Sequence, residues 1–281
     1  MNIFQKIYNY RELLKTNVKK EIRGRYKNSI LGVMWSFLNP LLQLLVYSVI
    51  FGALLTGGSD SYYQQTYYIY VCVALIPWTY FTTAVTQSAF TVIGNGDIIK
   101  KVYFPREILP ISVVTSGAVN FMISTIIILA FVIFSPVGLS WYLLLYPFIL
   151  LIQYILLLGI SFIVSSITVY FRDLEHIIGI ILMAAFYGTP IVYKLEQLPH
   201  SLQILMQLNP MTHIINGYRD IFYYHQMPNM KALLILLGIS VALTVVGYFI
   251  FKKLQKGFAV LLYNYLKNIK KRRYGIIFIM P

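Results

Sequence analysis

Arg23, Arg25 and Lys27 stand two residues apart just before a long uncharged stretch. Their spacing suits charge-assisted hydrogen bonds to the phosphate of a lipid-linked anion arriving along a membrane surface. A second group, Asp97, Ile98, Ile99, Lys100, Lys101, Val102, Tyr103 and Phe104, sets apolar and basic side chains on two turns of predicted helix. Asp97 is expected to cap its start, and Pro105 disfavours helix at Phe104. So apolar a connector suggests docking to a soluble protein. Packing against the chain's own inner helix is the alternative. Other chemistries find no residues. There is no Gly-x-x-x-x-Gly-Lys-Ser/Thr loop to cradle phosphates, so the chain is not expected to hydrolyse ATP by itself. His176, His200, His213 and His225 lack metal-ligand spacing, and no metal site is expected. The single Cys72 cannot form an internal disulfide.

The elements that position these groups follow from charge spacing. From Ile108 to Phe171 the chain has no Asp, Glu, Lys, Arg or His, interrupted only by Ser135-Pro136-Val137-Gly138. Hydrocarbon demands a helix apolar all round with every backbone hydrogen bond made internally, and about 20 residues cross it. That run is long enough for two spans and a turn. The same reading across the chain predicts an all-α integral membrane protein with six spans, near 31–55, 66–92, 108–134, 141–169, 176–193 and 232–251. As bounded, the spans hold no carboxylate, lysine or arginine. This weakens a proton- or sodium-driven carrier, which needs ionisable relays at depth, and a membrane-embedded transferase, which needs an acid, base or nucleophile there.

Orientation comes from the 23 Lys and Arg. Eight precede the first span, three lie in 93–107, one in 170–175 and eight after Phe251, leaving Lys194, Arg219 and Lys231 for the other face. Basic loops stay inside, so both termini are expected in the cytoplasm. The net charge of +14 forms a collar around the membrane rather than one patch, which favours membrane lipids over nucleic acid as a partner. The chain is expected to be one transmembrane domain, 1–281, with an interfacial segment 1–27, spans in 28–251 and a basic tail 252–281. No leader is expected to be removed.

Ile3, Ile7, Tyr10, Leu14, Val18 and Ile22 recur at helical spacing among basic residues, predicting an amphipathic interfacial helix, either an anchor or a gate. Asn209-Pro210 predicts a helix start followed by Ile214, Ile215, Tyr218, Ile221 and Phe222, with a shorter piece in 198–208. Both are too short to cross, so two re-entrant or interfacial helices are expected between spans five and six. Tyr62, Tyr63, Tyr67, Tyr68 and Tyr70, with Tyr187, Tyr193, Tyr223 and Tyr224, cluster at the same face. An interfacial aromatic belt accounts for most of them, with a subset free to line a sugar path.

Several segments resemble the permease subunits of ABC exporters for lipid-linked polysaccharides and teichoic acids. They are Arg25-Tyr26-Lys27-Asn28-Ser29-Ile30-Leu31-Gly32-Val33-Met34-Trp35 running into Asn39-Pro40-Leu41, Lys100-Lys101-Val102-Tyr103-Phe104-Pro105-Arg106-Glu107-Ile108-Leu109-Pro110, Phe171-Arg172-Asp173-Leu174, and Leu208-Asn209-Pro210-Met211 with Tyr218-Arg219. The resemblance spans roughly residues 1–258. It implies a homodimer in a bacterial inner membrane, bound to two copies of a separate ATPase subunit that carries ATP and Mg. It places ATPase coupling at 97–104 with Arg172 and Asp173, and a substrate gate at Arg23, Arg25, Lys27 and Trp35. The translocation path and outer region would take in Tyr187, Tyr193, Asn209, Pro210, Tyr218 and Arg219. The expected cargo is a lipid-linked anionic cell-envelope glycopolymer, wall teichoic acid ahead of O-antigen-type glycan. An exporter of drugs or small lipids and a polytopic enzyme acting on lipid-linked sugars are the alternatives. The tail beyond Phe258 departs from the family pattern.

Overall fold

The computed structural model describes residues 9–25, 31–55, 61–102, 104–258 and 260–261, and these are all-helical. In chain order the α-helices are α1 (Arg11–Arg25), α2 (Trp35–Leu55), α3 (Ser61–Gly94), α4 (Gly96–Lys101), α5 (Ile108–Ile133), α6 (Tyr146–Thr168), α7 (Leu174–Tyr187), α8 (His200–Gln207), α9 (Pro210–Arg219) and α10 (Met230–Leu254). A 3-10 turn at Trp141–Leu145 leads into α6, and a π turn at Asp220–Tyr224 follows α9.

Among the described residues four segments are long and apolar enough to cross a bilayer: Ser61–Gly94, Ile108–Ile133, Trp141–Thr168 and Met230–Gly257. They correspond to the second, third, fourth and sixth predicted spans. The first predicted span is a helix with a shorter apolar stretch, Phe37–Gly52. The fifth differs more. α7 has 14 residues, about 21 Å at helical rise, and ends at Tyr187 rather than near 193. Gly188 stops the helix and Pro190, which lacks an N–H, pushes Thr189 out of helical geometry. Hydropathy continues across the break because the run to Lys194 stays uncharged.

α3 is the centre, packed by α2, α5, α6, α7 and α9. Its mid-portion from Ile69 to Trp78 is buried on all sides. Hydroxyl pairs fasten neighbouring helices where apolar contact alone gives no preference over lipid: Ser88 to Ser161 at 2.6 Å, Thr115 to Tyr154 at 2.9 Å and Thr125 to Tyr146 at 2.8 Å. α6 and α10 approach so closely that a Cβ on Gly247 would lie 2.6 Å from the Gly159 carbonyl oxygen. By contrast α2 and α7 bury little. Leu45, Val49, Leu54, Ile180, Ile181 and Met183 are all exposed.

The bundle has two distinct ends. At the basic end, Leu13 and Leu14 of α1, with Tyr10 just before it, share an apolar cluster with Ile99, Phe104, Phe251 and Phe258, so α1 and the end of α10 lie together. Glu107 pairs with Lys252 there at 3.5 Å. α8 and α9 form the opposite end.

Candidate functional site

At the basic end, α3 and α4 are separated by Asn95 alone. α4 begins at Gly96, so Asp97 lies inside the first turn and makes no cap bond. Asn95 is instead held between helices. Its Nδ2 donates to the Thr91 carbonyl at 2.8 Å and its Oδ1 accepts from Lys20 Nζ at 2.8 Å. That pins α1 to the α3–α4 junction, a role the sequence reading missed for Lys20. A recess of ≈ 360 Å³ lies beneath α1, lined by Lys20, Glu21, Gln87, Thr91 and Asn95.

α4 divides its apolar surface. Ile99 and Phe104 are buried in the protein's own cluster, whereas Ile98 and Val102 are exposed beside Asp97 and Lys101. The buried face fits packing against the chain's own helices, and Ile98 and Val102 leave an exposed apolar face on the other side. Phe104, expected at the docking surface, is buried in this cluster. Lys100 belongs to α4, and Tyr103 lies outside the described residues. Arg172 is half-buried and Asp173 exposed, at the turn before α7. Arg23 is exposed on α1, Arg25 ends that helix, and Lys27 lies outside the described residues. Trp35 opens α2 and lines a different cleft.

At the opposite end, Asn209 caps α9 by accepting from the Met211 N–H at 3.0 Å, and Pro210 takes the first helical position. Asn209 Nδ2 also donates to the Gly188 carbonyl and to Thr189 Oγ1, fixing the break after α7. Beyond it the chain runs non-helically through Pro190, Ile191, Val192 and Tyr193. Each of these four carbonyls receives a side-chain donor. Arg219 donates to Pro190 through Nη1 and to Ile191 through Nη2 at 2.7 Å; Tyr67 donates to Val192 at 2.6 Å and Tyr70 to Tyr193 at 3.0 Å. Irregular backbone survives in a membrane protein only when buried and satisfied in this way.

Arg219 is 2% exposed, with its guanidinium carbon 3.6 Å from the Tyr70 ring centroid. It also forms part of the wall of a ≈ 760 Å³ pocket with Lys194, Glu196, His213, Asp220 and Tyr224. Asp220 is pushed above the ordinary carboxyl range by burial, opposed by the Gln226 hydrogen bond and the Arg219 charge. Tyr218 is buried too, donating to Gln153 Oε1 at 3.2 Å, while Gln153 donates to the Pro77 carbonyl. Tyr218 and Arg219 are thus interior residues, since α9 turns that face inward. Tyr187 is exposed, and half-buried Tyr193 donates to its carbonyl. The aromatic-belt reading fits Tyr62, which is exposed, but not Tyr63, Tyr67 or Tyr70, which are core.

Among the described residues no cluster of His, Cys, Asp or Glu could hold a metal. Residues 12–223 match the family described as ABC-2 type transporter. The chain belongs to that family. It is similar to the O-antigen export system permease protein RfbA of Myxococcus xanthus, 33% identical over 92% of this chain and 98% of the relative. A protein of the same name from Klebsiella pneumoniae is 35% identical over 89% and 95%. The polysialic acid transport protein KpsM of Escherichia coli is 22% identical over 72% and 77%. As an ABC-2 family member the chain is a membrane-integral permease subunit, not an enzyme, and nucleotide hydrolysis belongs to a separate subunit.

Proposed function

We propose that this permease exports a lipid-linked cell-envelope polysaccharide, powered by two copies of an ATPase subunit that binds ATP and Mg. The observation that carries the reading is the similarity to O-antigen export permeases across nearly their whole length. Two copies of the chain would face each other across a two-fold axis, the commonest closed arrangement. The exposed apolar faces of α2 and α7 are available for that pairing, and a path between them gives the lateral opening a lipid-tailed polymer needs. α8 and α9 would cap it outside, with Tyr187 and Tyr193 at its rim.

Both termini would lie in the cytoplasm of a bacterial inner-membrane protein with six membrane-embedded helices, α7 reaching only part-way on its own. Arg23, Arg25 and Lys27 on the basic end would meet the lipid pyrophosphate, and Asp97, Ile98, Lys101 and Val102, with Arg172 and Asp173, would meet the ATPase. Ile98→Ala with Val102→Ala should reduce ATPase co-purification several-fold while the permease keeps its melting temperature, because few contacts carry a small interface. Unchanged association would move the docking surface elsewhere.

The anionic cargo expected from the sequence, wall teichoic acid, and the O-antigen-type glycan in the relatives' names become the two arms of one experiment. The permease is reconstituted with its ATPase, and ATP-dependent movement of each defined lipid-linked polymer is measured. Movement of either supports export, and the preferred arm names the substrate. ATP hydrolysis with neither polymer moved, or stimulation only by small lipids, would overturn the reading.

A further inference from the structure

A cleft of ≈ 340 Å³ opens between α2, α3 and α5. Trp35 and Asn39 line it from α2, Tyr80 and Gln87 from α3, Asn120 and Ser124 from α5. No charged side chain lines it. Asn120 is 8% exposed, yet neither its amide nitrogen nor its oxygen has a hydrogen-bond partner. An unpaired buried amide costs roughly 2 kcal/mol or more on most scales, and hydrocarbon offers it nothing. Gln153, buried more deeply still, by contrast uses both ends of its amide on Pro77 and Tyr218.

Three amides and hydroxyls beside aromatic rings, without charge, match an uncharged polyol. Aromatic faces take the apolar face of a sugar ring, and planar amides bond its hydroxyls in pairs. A phosphate would find no counter-charge there, so the cleft complements the basic end rather than repeating it. Gln87 also lines the recess beneath α1, giving the two cavities a shared wall. We infer that each protomer carries its own subsite for an uncharged sugar ring in this cleft, with Asn120 as its hydrogen-bonding anchor. This rests on the polysaccharide-export reading and refines where one sugar unit is held.

The test needs neither transport nor ATP. Trp35 is made the sole tryptophan by Trp78→Phe and Trp141→Phe, and the full chain in lipid nanodiscs is titrated with octyl glucoside below its micellar concentration. Octylphosphocholine, with the same tail and a charged head, is the control. A saturable change in Trp35 emission is expected with the glucoside alone. Asn120→Leu should raise the half-saturating concentration about tenfold and, because it removes an unpaired amide, raise the melting temperature without ligand. A structural asparagine would behave oppositely and destabilise when replaced. Equal responses to both heads, no saturable glucoside response, or a lower melting temperature for Asn120→Leu would each overturn the subsite. If Asn120→Leu does not fold, that counts as destabilisation and overturns it as well. A null titration beside intact polymer export removes the subsite and leaves the export reading standing. Saturable glucoside binding beside reconstituted protein that moves no polymer does the reverse.

Discussion

The stretch 190–193 and the Asn120 cleft are both polar places in an apolar bundle, and they treat hydrogen bonds in opposite ways. The first leaves helical geometry, and all four carbonyls it frees are met by Arg219, Tyr67 and Tyr70. The second lies on a regular helix with no backbone need, and its amide is left unmet. Polarity in the first place is required by the fold. In the second the fold gains nothing from it, which is the physical reason to assign it to a ligand.

Arg219→Met breaks this comparison hardest. A buried charge replaced by an apolar side chain is often tolerated, but here two carbonyls would lose charged donors. Such bonds contribute about 1.5–3 kcal/mol each, so the loss should be on the order of 3–6 kcal/mol. It is read as a large fall in the melting temperature in detergent and in lipid. Wild-type stability in Arg219→Met would mean that the 190–193 backbone is held some other way.

Tyr67→Phe and Tyr70→Phe sharpen the same point with less disturbance. Each keeps the ring, and at Tyr70 the face beneath the guanidinium, while removing one donor. Each should cost about 1 kcal/mol, with the carbonyl of Val192 or Tyr193 left unpaired. Tyr62→Phe, on an exposed ring, should cost nothing measurable. Equal losses at all three would restore the aromatic-belt reading for the whole cluster.

How much of this was legible in the sequence depended on the range of the interaction. Ser135-Pro136-Val137-Gly138 ended α5 and Asn209-Pro210 began α9, because turn and cap chemistry is local. The end of α7 was misplaced by six residues, since charge spacing registers hydropathy and not the loss of helix at Gly188-Thr189-Pro190. The donors to 190–193 were hidden for another reason. Tyr67 and Val192 are 125 residues apart, and nothing periodic marks which tyrosines turn inward. The two faces of α4 were likewise ambiguous until the fold fixed which of Ile98 and Ile99 points at α1 and α10. Asn120 passed as one polar residue in a charge-free run, because an unpaired amide is visible only once its neighbours are placed.

The smallest expected effect separates the two places by pH. Asp220, beside the carbonyl-bonded stretch, has its carboxyl raised by burial, although Gln226 Nε2 donates to it at 2.6 Å and Arg219 is near. A raised carboxyl binds its proton more tightly folded than unfolded, so stability increases as pH falls through the folded value, and the gain is complete below the ordinary value of 3.8. Asp220→Asn removes the group that must be desolvated in its charged form while keeping an oxygen for Gln226. It should therefore melt slightly higher than wild type at pH 7, with the advantage vanishing as the medium is acidified. Lys194, Glu196, His213, Arg219 and Tyr224 share the pocket, so the difference between the two proteins is measured rather than either curve alone. The Asn120 cleft is lined by no carboxylate, histidine, lysine or arginine, and the glucoside response of Trp35 should be the same at pH 5 and pH 8. An Asp220→Asn protein that melts below wild type at pH 7 would mean the carboxylate is stabilised there as an anion, with the Arg219 charge and the Gln226 hydrogen bond outweighing burial.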